Sequence, residues 1–381
     1  MEPQTPEIRA ERAVLGAALL APHQVERLTP WVTPGCFRQQ HHADVWRAMT
    51  RIGGTGHRDR YPDVVLNALR EAGYPEHTHG GPRLHSYMQA CPRPGHAPLY
   101  GGMVVEAAMH RAMTYHGRHL QQVAASARPA TVELDMREVE ATAGRVAGLA
   151  PAWQAVPAPV RDRLDPADAT RPIAWPDTPQ LTRTHADPEA ERAFLSGVLA
   201  DPTAAREYAW IRPADFGRPE HAAAWTAIGE LTRADVPIDP ITVAWQLTRH
   251  GPVAAPLASE DLLAWAREGT RPGAHLGAVA VATGAALDRV DLAGRRLETL
   301  GLADAVPPSR LLAEATCSIG PAARDVEHLA EHLTIREIAP HPDTPALLAP
   351  ARREIQAPPW SVRDGPEHPA PEHDIDDDID I

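Results

Sequence analysis

The chain has 381 residues, enough for two ordinary domains with linkers, and its forty prolines are too many for one compact unit. The formal net charge is −13 and no lysine occurs, so every basic residue is arginine; this balance lacks the general positive field that drives phosphate-backbone binding. Cys36, Cys91 and Cys317 form no CxxC pair, and neither a charged-then-apolar start nor a run of about 18 apolar residues occurs, so a soluble, cytoplasmic chain is expected.

The first predicted element is the amphipathic helix around Glu11-Arg12-Ala13-Val14-Leu15-Gly16-Ala17-Ala18-Leu19-Leu20. The same element recurs as Glu191-Arg192-Ala193-Phe194-Leu195-Ser196-Gly197-Val198-Leu199-Ala200. Each copy opens on a capping side chain followed by proline and glutamate, Thr5-Pro6-Glu7 and Asp187-Pro188-Glu189. Each closes near a proline, Pro22 or Pro202. A matched start, face and stop on two distant segments indicates one module used twice.

The correspondence continues along the chain. Trp31, Pro34, Phe37, His42 and Trp46 match Trp210, Pro213, Phe216, His221 and Trp225. Val45, Trp46, Met49 and Ile52 have helical spacing, as do Trp225, Ile228 and Leu231. A fourth helix carries Val64, Val65 and Leu69 up to Gly73 in one copy, and Ile241, Val243 and Leu247 up to Gly251 in the other. Shorter helices are predicted around Leu84 and Leu262. A long helix follows in each copy, breaks at Ala127–Ala130 or Ala305–Pro308, and folds back as an antiparallel hairpin. No segment has the alternation of a sheet, so the expected fold is all-α. The predicted boundaries are a first helical domain over 5–150, an extended Pro-rich linker over 151–186, a second helical domain over 187–335, and a disordered Pro-rich, acidic tail over 336–381.

With these residues in order, the chain resembles, twice over, the N-terminal domain of the bacterial replicative DNA helicase DnaB. The first copy carries the resemblance through Glu11 to Gly16, Leu19-Leu20, Pro34, Phe37, His42, Trp46 and Arg111. The second carries it through Ala190-Glu191-Arg192, Leu195, Pro213-Ala214-Asp215-Phe216, His221, Pro237-Ile238-Asp239 and Arg289. The resemblance implies a helical head followed by a hairpin, dimers that build the collar of a hexamer, and contacts with helicase, primase or helicase loader. It also implies that catalysis belongs to a separate ATPase domain. That domain needs a glycine-rich loop ending in lysine, and the sequence here has neither GxxxxGK[ST] nor any lysine. No enzyme activity and no cofactor are expected.

Other constellations have blander explanations. His328-Leu329-Ala330-Glu331-His332 has the HxxEH spacing of a zinc hydrolase helix, but a solvated helix face is favoured. His77, His79 and His85 form a loose cluster without evident four-ligand geometry. His42 and His221 are read as a cap or packed residues, and the tryptophans as core. Glu11 and Glu191 are expected to make surface salt bridges with neighbouring arginines. The end Asp374-Ile375-Asp376-Asp377-Asp378-Ile379-Asp380-Ile381 resembles, loosely, the acidic-apolar tips of single-stranded-DNA-binding proteins; a solvating tail is the simpler reading.

The functional expectation is a non-catalytic replication adaptor or scaffold whose two modules pair within one chain or self-associate, with no direct nucleic-acid or membrane binding. Met103, Ala107, Arg111, Tyr115, Val279 and Arg289 on the two long helices are the expected partner or dimer interface. The alternatives are an inhibitor or decoy capping the helicase collar, and a small zinc hydrolase using His328 and His332.

Overall fold

The computed structural model describes residues 5–54, 60–127, 132–165, 179–249 and 257–337. Among these residues there is no strand, and the fold is all-α. The first head comprises α1 (Pro6–Leu20), α2 (His23–Leu28), a 3-10 turn at Pro34–Cys36, α3 (Gln40–Ile52), α4 (Tyr61–Glu71), α5 (Glu76–His79) and α6 (Gly81–Ala90). Its hairpin is α7 (Ala97–Ser126) and α8 (Val132–Ala147), followed by α9 (Leu149–Ala155) and α10 (Ala158–Leu164). The second head repeats the plan with α11 (Pro188–Ala200), α12 (Ala204–Glu207), a 3-10 turn at Pro213–Asp215, α13 (Pro219–Arg233), α14 (Pro240–Arg249) and α15 (Ser259–Glu268). Its hairpin is α16 (Arg271–Gly301) and α17 (Pro308–Glu337).

The helix signals act as their chemistry requires. Thr5 accepts from the Ile8 amide, and Asp187 from the amides of Glu189 and Ala190, so both starting helices have a side-chain cap ahead of proline. Gly73, at φ 79°, follows α4 in the left-handed conformation, and the next amide, Tyr74, reaches back to the Leu69 carbonyl. Gly251, its expected counterpart, lies outside the described residues, as does the segment 338–381 that holds the predicted tail.

The region expected to be an extended linker is helical where it begins. Residues 149–155 and 158–164 form α9 and α10, and Trp153, Val156 and Val160 are buried against the first module. Proline is tolerated there because Pro159 sits in the first turn of α10, where its missing amide has no partner to lose. Asp165 then accepts from the Ser309 amide at 2.7 Å and its hydroxyl at 3.0 Å, tying the end of α10 to the start of α17.

The two modules form one structure at their hairpins. The core of the first head runs without a break through α7 and α8 into α16 and α17, while the second head keeps a separate core around Phe194, Trp225 and Trp265. Helices α7 and α16 are antiparallel: His110 and Thr114 lie against Gly301, and Gly117 and Gln121 against Gly294. A Cβ on Gly117 would fall 2.6 Å from the Gly294 carbonyl oxygen, and one on Gly294 would fall 2.7 Å from that of Gly117. Any larger residue at either position forces the backbones apart. Gly16 and Gly197 have the same role within each head, abutting the backbone of Tyr87 and of Thr270.

Replacing Gly117 or Gly294 by alanine is expected to lower stability by about 1–3 kcal/mol through overpacking. Gly144, in α8 with open space around it, is the control: Gly144→Ala should stabilise by about 0.5–1 kcal/mol. Chemical denaturation of the three variants checks both signs.

Candidate functional site: the paired hairpins and what holds the heads to them

Each head is centred on a buried carboxylate. Glu11 is 0% exposed and accepts from the amides of Arg38 at 2.5 Å and Gln39 at 3.4 Å, with His42 Nδ1 at 2.6 Å. Glu191, 2% exposed, makes the same set with the Gly217 amide at 2.6 Å, the Arg218 amide at 3.3 Å and His221 Nδ1 at 2.7 Å. The capping positions of α3 and α13, Gln39 and Arg218, supply no side-chain cap of their own. The glutamates of α1 and α11 therefore cap those helices from outside, satisfying free amides at the positive end of the helix. The surface salt bridges expected for Glu11 and Glu191 are thus corrected: an i,i+4 pattern says nothing of amides brought in from another helix.

Below each cap a tryptophan locks the turn. Trp46 donates its indole N–H to the Val32 carbonyl at 2.9 Å, and Trp225 to that of Ile211 at 2.7 Å. Trp31, Trp46 and Trp225 are core residues, as expected. Trp210 differs. It is half-buried and stacks on His332 of α17, with ring centroids 4.4 Å apart and planes 9° from parallel.

That stack also places the HxxEH segment. His328 meets Trp210 edge-on at 6.0 Å and His332 edge-on at 4.7 Å, so the two imidazoles pack on the indole. Burial and the neighbouring His328 lower the pKa of His332, against the opposing pull of Glu331. The other histidine cluster is dispersed: His79 is buried beside Asp44 at 3.4 Å, while His77 and His85 are exposed. Among the described residues, no group of three or more His, Cys, Asp or Glu side chains is arranged to hold a metal ion.

The expected interface residues divide into two kinds. Arg111 pairs with Glu7 and donates to the Cys36 carbonyl at 2.7 Å. Arg289 pairs with Asp215 at 2.5 Å and Asp325 at 3.2 Å. Both arginines fasten a long helix to the 3-10 turn of its own head, so they are internal anchors. Met103 (38%) and Tyr115 (42%) are exposed on α7, and Ala107 and Val279 are half-buried. The surface that joins the modules is a different one, built by His110, Thr114, Gly117 and Gln121 against Gly294, Glu298 and Gly301. The signal available for it was the glycines inside the two long helices, where glycine is costly unless a close approach requires it.

Polar groups seal this joint. Glu298 accepts from Arg118 at 2.7 Å and Gln121 at 2.8 Å, and both bonds hold its carboxyl below its ordinary pKa. Buried Asp288 accepts from the amides of Thr184 and His185, each at 2.9 Å, while His185 lies 2.9 Å from Asp288 through Nδ1 and 3.1 Å from the Ala124 carbonyl through Nε2. The chain entering the second head is thereby clasped between α16 and α7. At the other end of α7, burial and the neighbouring Asp165 push the Glu106 carboxyl up to about 7.

The arrangement is that of a duplicated, all-helical head-and-hairpin protein with its hairpins paired. Residues 3–106 and 183–270, together just over half of the chain, match the DnaB-like helicase N terminal domain. The chain belongs to that family, with the domain present twice, and the family carries a helicase-associated replication role. The matched stretches span the two heads; most of the hairpins lies beyond them. No curated protein and no solved structure matches the chain. No described helix is long and apolar enough to cross a membrane.

Removing either buried carboxylate, as Glu11→Ala or Glu191→Ala, leaves amides and a histidine without their acceptor, and each is expected to cost about 3 kcal/mol in urea unfolding. Glu106 sets a pH dependence. Its folded pKa of about 7 lies above its ordinary 4.5, so folding takes up a proton and stability falls as pH rises through that window. Glu106→Gln should remove that loss and raise the melting temperature at pH 8, with little effect at pH 4.

Proposed function

We propose that the chain is a non-catalytic adaptor of DNA replication that presents two helicase-collar-type modules as one rigid pair. The observation that carries this reading is the joining of two family domains, hairpin to hairpin, around a continuous core. The resemblance implies that such domains work by contact with helicase, primase or loader and leave catalysis to a separate ATPase domain. A sequence without lysine or a phosphate-binding loop fits that division. The function then lies in surfaces: the outward side of α7 with Met103 and Tyr115, the opposite side of α16 with Val279, and the two heads. No cofactor enters this reading, and the protein works in the cytoplasm with its replication partners.

The test is binding of the purified chain to the replicative helicase, primase and loader of its own host, followed by an unwinding assay with the helicase. Binding to at least one component with altered unwinding is expected. An increase identifies an activator, and a decrease identifies a cap that blocks the collar. Absence of binding to all three would sink the adaptor reading.

A further inference from the structure

The two heads differ on one face. In α4 and α14 the buried pairs Val65/Leu69 and Val243/Leu247 fix the same register. At the outward positions of that register the first head carries Asp63 and Asn67, and the second carries Ile241 and Trp245, one helical turn apart. Ile241 is 60% exposed, Trp245 67%, and Val236 just before the helix 41%. The shared fold requires only Val and Leu here, since the first head is built with polar residues at the outer positions. The apolar face of α14 therefore needs an explanation outside the fold.

Its surroundings narrow the occupant. The acids nearby are engaged: Asp235 by Arg206, Asp239 by the amides at the start of α14, and Glu230 by Gln246. Arg249 donates to Gln246 and Arg233 to the Gly229 carbonyl, and neither meets a carboxylate among the described residues. The three apolar side chains expose on the order of 300 Å², short of the roughly 800 Å² per partner that a stable dimer buries. A second folded copy is therefore a poor fit. A short segment mixing aliphatic and acidic residues suits both the indole and the arginines.

The chain contains such a segment outside the described residues. Asp374–Ile381 sets Ile375, Ile379 and Ile381 among aspartates. Residues 338–373 separate it from the end of α17 and reach roughly 100 Å when extended, enough to arrive anywhere on a protein of this size. Residues 1–337 carry 40 acidic and 34 basic residues, so an acidic segment is favoured where arginines such as Arg233 and Arg249 meet no carboxylate among the described residues. We propose that Asp374–Ile381 docks on the α14 face of the second head, with isoleucines on Ile241 and Trp245 and aspartates on Arg233 and Arg249.

The test uses a fluorescent peptide of sequence Asp-Ile-Asp-Asp-Asp-Ile-Asp-Ile and fluorescence anisotropy. The full chain carrying Ile375→Ser, Ile379→Ser and Ile381→Ser should bind the peptide. The unaltered chain should bind it at least fivefold more weakly, because its own segment competes at high effective concentration. Adding Trp245→Ala to the serine variant should weaken binding at least tenfold with an unchanged melting curve, since the indole is mostly exposed. Adding Arg249→Gln should weaken it and reduce its salt dependence. Equal binding to the unaltered and serine chains, indifference to Trp245→Ala, or no binding at all would each overturn the proposal.

Discussion

The contact between Gly117 and Gly294 sets the rest of the architecture. Two long helices can run with their backbones this close only where glycine leaves room, and this crossing brings the hairpins of two modules into one core. From that crossing α8 and α17 are placed alongside, α9 and α10 close over α7, and the strand of chain at Thr184 and His185 is drawn between the modules by Asp288. The heads are held to the bundle by Arg111 and Arg289.

Inside each head the organising element is electrostatic. A glutamate with no access to water is tolerated because its oxygens meet two helix-starting amides and an imidazole, groups that would otherwise lack partners. Because the same arrangement is assembled twice from different neighbours, Arg38 and Gln39 in one head and Gly217 and Arg218 in the other, the backbone position matters and the side chains supplying the amides do not.

Much of the fold was legible in the sequence because it rests on local rules: helical spacing of apolar residues, proline at first turns, glycine past α4, and repetition of the whole pattern. Three things are not legible. Glu11 looked like a surface residue because the groups that bury it come from a segment some thirty positions on. The arginines Arg111 and Arg289 looked like interface residues because they stand on the long helices, yet each turns back to its own head. Proline content alone points to an extended linker over 151–186, yet Pro159 is accommodated in the first turn of a helix there. The true joint between modules left only a faint trace, glycine where a long helix would ordinarily choose alanine.

Carrying both halves of the pair on one chain changes how the joint behaves on dilution. A dimer held by a crossing such as Gly117 on Gly294 falls apart as subunits become scarce, whereas here the tether keeps the partner at a fixed, high local concentration. The joint is also released from the rule that each substitution in a symmetric interface occurs twice. Glu298, which packs against Gly117, is a carboxylate that takes both Arg118 and Gln121 from α7, whereas its counterpart against Gly294 is the amide Gln121. The two halves have thus been free to specialise, and the pair is assembled even when a cell holds only a few molecules of it.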